Sequence, residues 1–246
     1  MDIVNNEAWN RQGFYYGYAT NHEDLEFVRD IVKTHFLAQL KTDYPTVHEF
    51  AEVKAMDEYH TYCEAISHGE YWQKRRRILP SDQLLRFKSS DLYNWLAQNL
   101  AIERITGEDG VYEEEVYWRL VRPNQQKDVG PLHADAWFWE ISGSVIPSGF
   151  KRVKVWIPLF TEPGESGFCY IPGSHLENTH YEKQYRDYKW KPQISEDLNY
   201  RKIVFRGTPG TPIIFHDRLI HGGNAGGTKT RVSLEFTALV RQTNDF

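Results

Sequence analysis
In Gly130-Pro131-Leu132-His133-Ala134-Asp135 an imidazole and a carboxylate stand two residues apart. On an extended backbone, residues at that spacing project from the same face, so one metal ion can reach both. A third ligand must come from elsewhere, and His216 and His221 compete for the place. Two imidazoles and one carboxylate leave several coordination positions open, which is the donor set of non-haem Fe(II) oxygenation chemistry.

After His221 comes a glycine-rich turn, Gly222-Gly223-Asn224-Ala225-Gly226-Gly227, and then a strand pattern in which Arg231 and Ser233 share one face. A guanidinium presents a fork of donors to a carboxylate, and a hydroxyl beside it adds one more. The pair suits the distal carboxylate of a 2-oxo diacid whose other end chelates the metal. Trp137 and Trp139 follow Asp135. If the strand runs on past Asp135, alternation puts both on the ligand side, as cavity wall or as plain packing. Trp156 is expected at the co-substrate. Lys127, Arg119 and Arg122 are candidates to meet an anionic substrate or the proximal carboxylate.

Periodicity shows which elements must hold these residues. Leu25, Val28, Ile31, Val32, His35 and Phe36 recur at helical spacing from residue 21 to about 40, behind an acidic first turn of Glu23 and Asp24. A second helix is predicted from Thr46-Val47-His48-Glu49, which has capping-box form, with Phe50, Val53, Tyr59, Cys63 and Ile66 along one side before Gly69. A third runs from Ser89 or Ser90 through Leu92, Trp95 and Leu96 to Ile105, ending at Gly107. After Gly110 the chain turns to β-branched and aromatic runs, at 116–121, 153–160, 168–171, 203–205, 211–215 and 231–240. Helices followed by strands, without alternation, predict segregated layers: a mainly β fold, a sandwich or jelly roll, braced by N-terminal α-helices. No linker or repeat divides the chain. Residues 1–246 are therefore expected to form a single domain, mainly helical over 1–110 and a jelly-roll core over 111–246.

The 246 residues are 40% hydrophobic and 15% aromatic, enough for a sizeable core, and the formal net charge of -5 disfavours a nucleic-acid partner. The basic run Lys74-Arg75-Arg76-Arg77 reads as a solvated face pairing with nearby acids. Cys63 and Cys169 are too few for a disulfide framework and suit a reducing compartment. No apolar run approaches a membrane span, and the N-terminus lacks the pattern of an export signal. The expected location is cytoplasmic.

Around the candidate ligands the chain resembles the phytanoyl-CoA dioxygenase-like branch of the Fe(II)/2-oxoglutarate oxygenases. The resemblance is carried by His133-Ala-Asp135, by Gly167-Phe-Cys-Tyr-Ile-Pro-Gly-Ser-His175, by Ile220-His221-Gly-Gly-Asn224, and by Arg231 ten residues beyond His221. It extends to Val155-Trp156-Ile157-Pro158-Leu159 and to Gly13-Phe14 ahead of the first long helix, and is strongest over 117–236.

The resemblance implies a double-stranded β-helix, a cupin-like jelly-roll barrel, with iron at one open end held by His133, Asp135 and His221. His216 is then left to a polar cluster with Asp217, and the Pro-Gly-Ser-His turn shapes the barrel mouth. Arg231 would bind the 5-carboxylate of 2-oxoglutarate, with Ser233 beside it. An intact Asp135 is similar to hydroxylases, whereas related halogenases carry a small residue there. The implied reaction hydroxylates an unactivated C–H bond of a small-molecule metabolite, consuming 2-oxoglutarate and O2 and releasing succinate and CO2. Segments 143–152 and 176–201 are expected to cover the cavity mouth and set specificity. Two other readings stay open: a cupin-like metal-dependent isomerase or lyase that does not use 2-oxoglutarate, and a non-catalytic jelly-roll binding module. Substrate identity and oligomeric state are not legible in the residues.

Overall fold
The computed structural model describes residues 3–107, 113–186, 189–194 and 197–242. The expected boundary at 110/111 lies outside the described residues. In chain order the helices are α1 (Glu7–Gln12), α2 (His22–Asp43), α3 (Pro45–Val53), α4 (His68–Tyr71), α5 (Lys74–Arg77), α6 (Ser81–Lys88), α7 (Asp91–Leu100) and α8 (Asp135–Ser142). The strands are β1 (Phe14–Tyr15), β2 (Ile102–Thr106), β3 (Val116–Val121), β4 (Phe150–Phe160), β5 (Ser166–Tyr170), β6 (Tyr181–Arg186), β7 (Lys189–Ile194), β8 (Ile203–Val204), β9 (Ile213–His216), β10 (His221–Ala225) and β11 (Arg231–Arg241).

Helix α2 starts where the Asn21 side chain accepts the Asp24 amide at 2.8 Å, satisfying one of the unpaired donors of the first turn. The second predicted helix is interrupted. Pro45, whose fixed φ suits a first helical position, opens α3 behind Tyr44, and no side-chain cap forms at Thr46. After Val53 the backbone is extended at Lys54 and Ala55, and a 3-10 helix, Met56–Thr61, follows before α4. Met56, Tyr59, Cys63 and Ile66 are all buried, so their spacing marks contact with the core but not one continuous helix. The third predicted helix begins behind Ser90, whose hydroxyl accepts the Tyr93 amide, and stops at Ala101 in the left-handed region. Ile105 lies beyond it in β2, which pairs with β11, so with β1 on β9 the N-terminal part supplies two strands as well as helices.

The large sheet has the order β1-β9-β4-β11-β2, with β3 also paired to β11; the small sheet is β10-β5-β8. All these pairings are antiparallel, and the sheets face each other as an open jelly roll that does not close into a complete barrel. Phe168 and Tyr170 of β5 pack with Trp156 of β4 and with Ile213 and Phe215 of β9, which joins the two sheets face to face.

The alternation of β4 and β11 separates the helix-covered core from the opposite face of the sheet. Val153, Val155, Ile157 and Leu159, with Val232, Leu234, Phe236 and Ala238, pack with α2, α6 and α7 in one continuous core. Each large side chain removed from water there contributes about 1.5–3 kcal/mol. The intervening residues, Lys154 and Trp156 on β4 and Arg231, Ser233, Glu235 and Thr237 on β11, face the opposite way, toward the small sheet. The expected covering segment 176–201 contains the hairpin β6–β7, which leans on α8: the Tyr181 ring stacks on Trp137 with centroids 4.9 Å apart. Among the described residues no helix is long and apolar enough to cross a membrane.

Candidate metal centre
His133 and His221 sit opposite each other in an isolated antiparallel bridge, each amide bonding to the other's carbonyl at 2.9 Å. The bridge brings the imidazole centroids to 4.6 Å. Each Nδ1 lies 2.9 Å from the carbonyl two residues upstream, Pro131 for His133 and Leu219 for His221. A carbonyl only accepts, so each Nδ1 carries the proton and each Nε2 is free to bind a metal.

Asp135 completes the group. Ala134 is extended, with φ -110° and ψ 137°, so the predicted same-face projection of His133 and Asp135 holds over that step. The backbone then turns into α8, anchored by the Ala136 amide on the Asp217 carbonyl. Asp135 Oδ2 lies 3.5 Å from His221 Nε2, and Oδ1 lies 3.9 Å from His133 Nε2. The donor atoms of the three residues fall within 4.8 Å of one another, close enough to hold one metal ion. Burial works to raise the Asp135 pKa, but Lys154 and the two imidazoles outweigh it and hold the carboxyl at about 2. Burial pushes His221 down to about 4 against the pull of Asp135. Near neutral pH the centre therefore offers an ionised carboxylate and a neutral His221 imidazole, the protonation states a metal requires.

His216 stands outside this group. Its Nδ1 is 3.2 Å from Asp217 Oδ1 and accepts the Arg218 amide, and its ring lies against Trp9 and His175. His175 bonds to the Asn10 carbonyl. It also covers Gly13, whose φ of +83° and 2.5 Å spacing from a would-be Cβ to His175 Nδ1 leave room for glycine only.

Arg231 opens β11, is 3% exposed, and donates through Nη1 to the Gly167 carbonyl of β5. The register partner of Gly167 on β10 is Asn224, three residues beyond His221, or roughly 10 Å along the strand. Trp156 and Phe168 line the interval: Arg231 approaches the Trp156 ring, Trp156 packs on Phe168, and Phe168 stacks on the His221 imidazole at 5.2 Å. A Cβ at Gly223 would lie 2.6 Å from Val129 Cγ1 and 3.5 Å from Arg231 Nη1, so the glycine turn lets β10 approach this guanidinium. Burial lowers the Arg231 pKa first, with Arg119 adding to the effect, but only to about 10, so the group stays charged.

The residues fit iron and 2-oxoglutarate. Asp135 Oδ2, Arg231 Nε and Ser233 Oγ are buried without hydrogen-bond partners among the described residues. Leaving such groups unmatched costs about 1–3 kcal/mol each. A cation at Asp135 and a carboxylate at Arg231 and Ser233 would satisfy them.

The other sequence candidates are placed differently. The strand expected beyond Asp135 is α8, so the alternation used for Trp137 and Trp139 does not apply. Trp137 stacks on Tyr181, and Trp139 lies under the Arg152 guanidinium at 3.8 Å. It is Phe138, 37% exposed, that stands edge-on to the His133 ring at 5.4 Å. Lys127 is exposed in the 3-10 helix Gln126–Asp128, and Arg122 is locked on Asp128. Arg119, across β11 from Ser233, pairs with Glu235 at 2.6 Å.

Two residues escaped sequence reasoning. Lys154, 4% exposed, donates to Thr237 Oγ1 at 2.9 Å and lies 3.5 Å from Asp135 Oδ2. A lysine inside the run Val153-Lys154-Val155-Trp156-Ile157 is the available signal, because alternation turns it inward with Trp156. Ser174, in the Pro-Gly-Ser-His turn, donates to the Ile171 carbonyl and accepts the amide of Ile220, the residue before His221.

The family model for phytanoyl-CoA dioxygenase (PhyH) matches residues 48–232, most of the chain, and the protein belongs to that family. It is an Fe(II)/2-oxoglutarate-dependent dioxygenase, with Fe(II) as cofactor and 2-oxoglutarate and O2 as co-substrates. The fold is similar to EvdO2 from Micromonospora carbonacea var. aurantiaca complexed with 2-oxoglutarate: TM-score 0.60, 13% identity, 99% of this chain and 94% of that one covered. It is also similar to EctD from S. alaskensis with 2-oxoglutarate and 5-hydroxyectoine: TM-score 0.56, 15% identity, 98% and 81% covered. The non-heme monooxygenase ThoJ in its apo form gives 0.57 at 14% identity, with 97% and 84% covered. No curated protein sequence matches the chain.

Proposed function
We propose that this chain, working as a single domain, hydroxylates an unactivated C–H bond of a small-molecule metabolite at a centre where His133, Asp135 and His221 hold Fe(II). The observation that carries the reading is the convergence of two Nε2 atoms, both freed by carbonyl-bound Nδ1 atoms, on one ionised carboxylate. Arg231 and Ser233 receive the distal carboxylate of 2-oxoglutarate. EctD and EvdO2, which share the fold, hold 2-oxoglutarate in their structures, and this supports the assignment.

Held by these residues, iron with 2-oxoglutarate would supply the O2 chemistry in which one oxygen atom enters the substrate C–H bond and the other enters succinate as 2-oxoglutarate loses CO2. The chain's part is positioning and exclusion of water. The Pro131 and Leu219 carbonyls keep both imidazoles in the ligating tautomer. Trp156 and Phe168 form an apolar wall along the space between Arg231 and His221. The His133 side chain is 23% exposed, against 9% for His221, so substrate reaches the metal from the His133 side, past Phe138. The free cysteines, Cys63 and Cys169, are buried, which supports a cytoplasmic setting.

Anaerobic addition of Fe(II) and 2-oxoglutarate to the purified protein is expected to give a metal-to-ligand charge-transfer band. His133→Ala and Asp135→Ala, checked for folding by circular dichroism, should abolish it. A well-folded wild type with no band, or a band unchanged in His133→Ala, overturns the assignment.

A further inference from the structure
The inward face of the large sheet carries more positive charge than the proposed reaction uses. Arg119 is matched by Glu235 at 2.6 Å, and Arg152 by Asp217 at 3.1 Å. That leaves Arg231, Lys154 and Asp135. With a divalent metal at Asp135 and the dianion of 2-oxoglutarate bound, Arg231 brings the total to zero, since +2 − 1 − 2 + 1 = 0 for metal, Asp135, 2-oxoglutarate and Arg231. Lys154 is the surplus. It donates to the Thr237 hydroxyl at 2.9 Å and lies 3.5 Å from Asp135 Oδ2, and Asp135 is the carboxylate the metal needs. Metal and ammonium therefore draw on the same anion. Holding two cations on one buried carboxylate is costly unless a further anion arrives.

Arg152 points to where that anion belongs. It lies two residues before Lys154 on β4, on the same face and roughly 7 Å away along the strand. Its side chain is 6% exposed, its Nε is the atom bonded to Asp217, and its Nη1 is buried without a partner. Thus a guanidinium paired through Nε and stacked on Trp139, with Nη1 left without a partner, and a surplus ammonium 3.5 Å from Asp135 stand two residues apart on one strand.

We propose that Arg152 and Lys154 form an anion subsite next to the metal centre, and that the primary substrate carries a carboxylate which binds there while its C–H bond is oxidised. This rests on the iron and 2-oxoglutarate reading above. The carboxylate belongs to the substrate because both negative charges of 2-oxoglutarate are already matched, one by Arg231 and one by the metal–Asp135 pair.

The test uses Lys154→Met, which removes the charge and keeps the length, and butyrate, 1-butanol and butylammonium as probes of one size and three charges. Wild-type protein is loaded anaerobically with Fe(II) and 2-oxoglutarate, and the charge-transfer band is followed as each probe is added. Butyrate should shift the band without bleaching it, while butanol and butylammonium should not. Lys154→Met should bind butyrate at least tenfold more weakly. In a separate titration of the metal alone, without added organic anions, Lys154→Met should bind Fe(II) as tightly as the wild type or more so. Weaker metal binding by the variant would make Lys154 a support for Asp135 and overturn the subsite. Bleaching by butyrate would assign the subsite to 2-oxoglutarate itself and overturn it as well. A normal band with no butyrate response, equal butyrate affinity in the variant, or an equal response to butanol or butylammonium would sink this inference alone. Absence of the band in the wild type would sink the iron and 2-oxoglutarate reading together with it.

Discussion
On β11, Val232, Leu234, Phe236 and Ala238 point into the helices, while Arg231, Ser233, Glu235 and Thr237 point toward the small sheet. Both faces are dry: Phe236 and Ser233 are each 0% exposed and Arg231 is 3% exposed. Burial therefore does not separate core from site. What separates them is completeness. The outward side chains are satisfied by the helices that cover them, as when Phe236 packs on Phe87 and Tyr93. Inward, Arg231 Nε and Ser233 Oγ have no hydrogen-bond partner among the described residues. One face spends its interactions on folding; the other keeps polar atoms that the described residues leave without a partner.

Substitutions on the two faces should split accordingly. Phe236→Ala empties a closed apolar site and should cost about 3–5 kcal/mol of stability by urea denaturation. Its 2-oxoglutarate affinity, measured on the folded protein, should stay near wild type. Arg231→Met removes a buried charge in favour of apolar volume, so stability should change by no more than about 1 kcal/mol. Affinity for 2-oxoglutarate should instead fall about 100-fold, near 3 kcal/mol, because a desolvated carboxylate loses its cation. If Arg231→Met unfolds the protein while Phe236→Ala spares it, the division between the faces is wrong.

A buried polar cluster under the helices sharpens the contrast. His68 lies 3.2 Å from the Tyr59 hydroxyl and 3.5 Å from Asp128, and Asp128 is held by Arg122. Burial pushes His68 down to about 4, against Asp128, with Arg122 and Arg77 adding to the effect. In the unfolded chain a histidine ionises near pH 6.5. Above that pH both states hold a neutral imidazole. As pH falls from about 6.5 toward 4, the unfolded chain takes up a proton that the folded one refuses, and stability drops by up to roughly 3 kcal/mol. His68→Asn should lose less stability over the same window in denaturation at stepped pH. Parallel curves for the two proteins would remove His68 from this role. The cluster's charges serve the fold, so the variant's 2-oxoglutarate affinity at pH 7 should match wild type.

The same contrast explains what the sequence revealed. His133, Asp135 and Arg231 stood out because the chemistry needs these types, and because one extended step and one strand alternation are local geometry. The layer order was legible because β-branched and aromatic runs cluster after residue 115. The alternation argument for Trp137 and Trp139 does not apply because the backbone turns helical at Asp135, a change that local apolar content does not announce. Apolar spacing from Phe50 to Ile66 looked continuous because it registers contact with the core, whatever backbone delivers it. Lys154 and Arg152 are basic residues inside a β-run, and alternation with Trp156 is the local sign that they turn inward, where both are buried.

Ser174 tests the smallest contribution, that of a residue acting on the centre through the backbone. Its buried hydroxyl accepts the Ile220 amide at 2.9 Å and donates to the Ile171 carbonyl at 2.7 Å. Ile220 lies between Leu219, whose carbonyl fixes the His221 tautomer, and His221 itself. Ser174→Ala leaves the Ile220 amide buried without this partner and should cost about 1–2 kcal/mol in stability. A purely structural role would end there. If the hydroxyl also positions the ligand, Fe(II) affinity of the folded variant should drop several-fold, about 1 kcal/mol, and Ser174→Thr, which keeps the hydroxyl, should restore most of it. Metal titration well below the melting temperature separates the two, because at that temperature nearly all of the variant is folded. An unchanged affinity would confine Ser174 to the fold and leave the His133–His221 bridge as the device that sets the imidazoles.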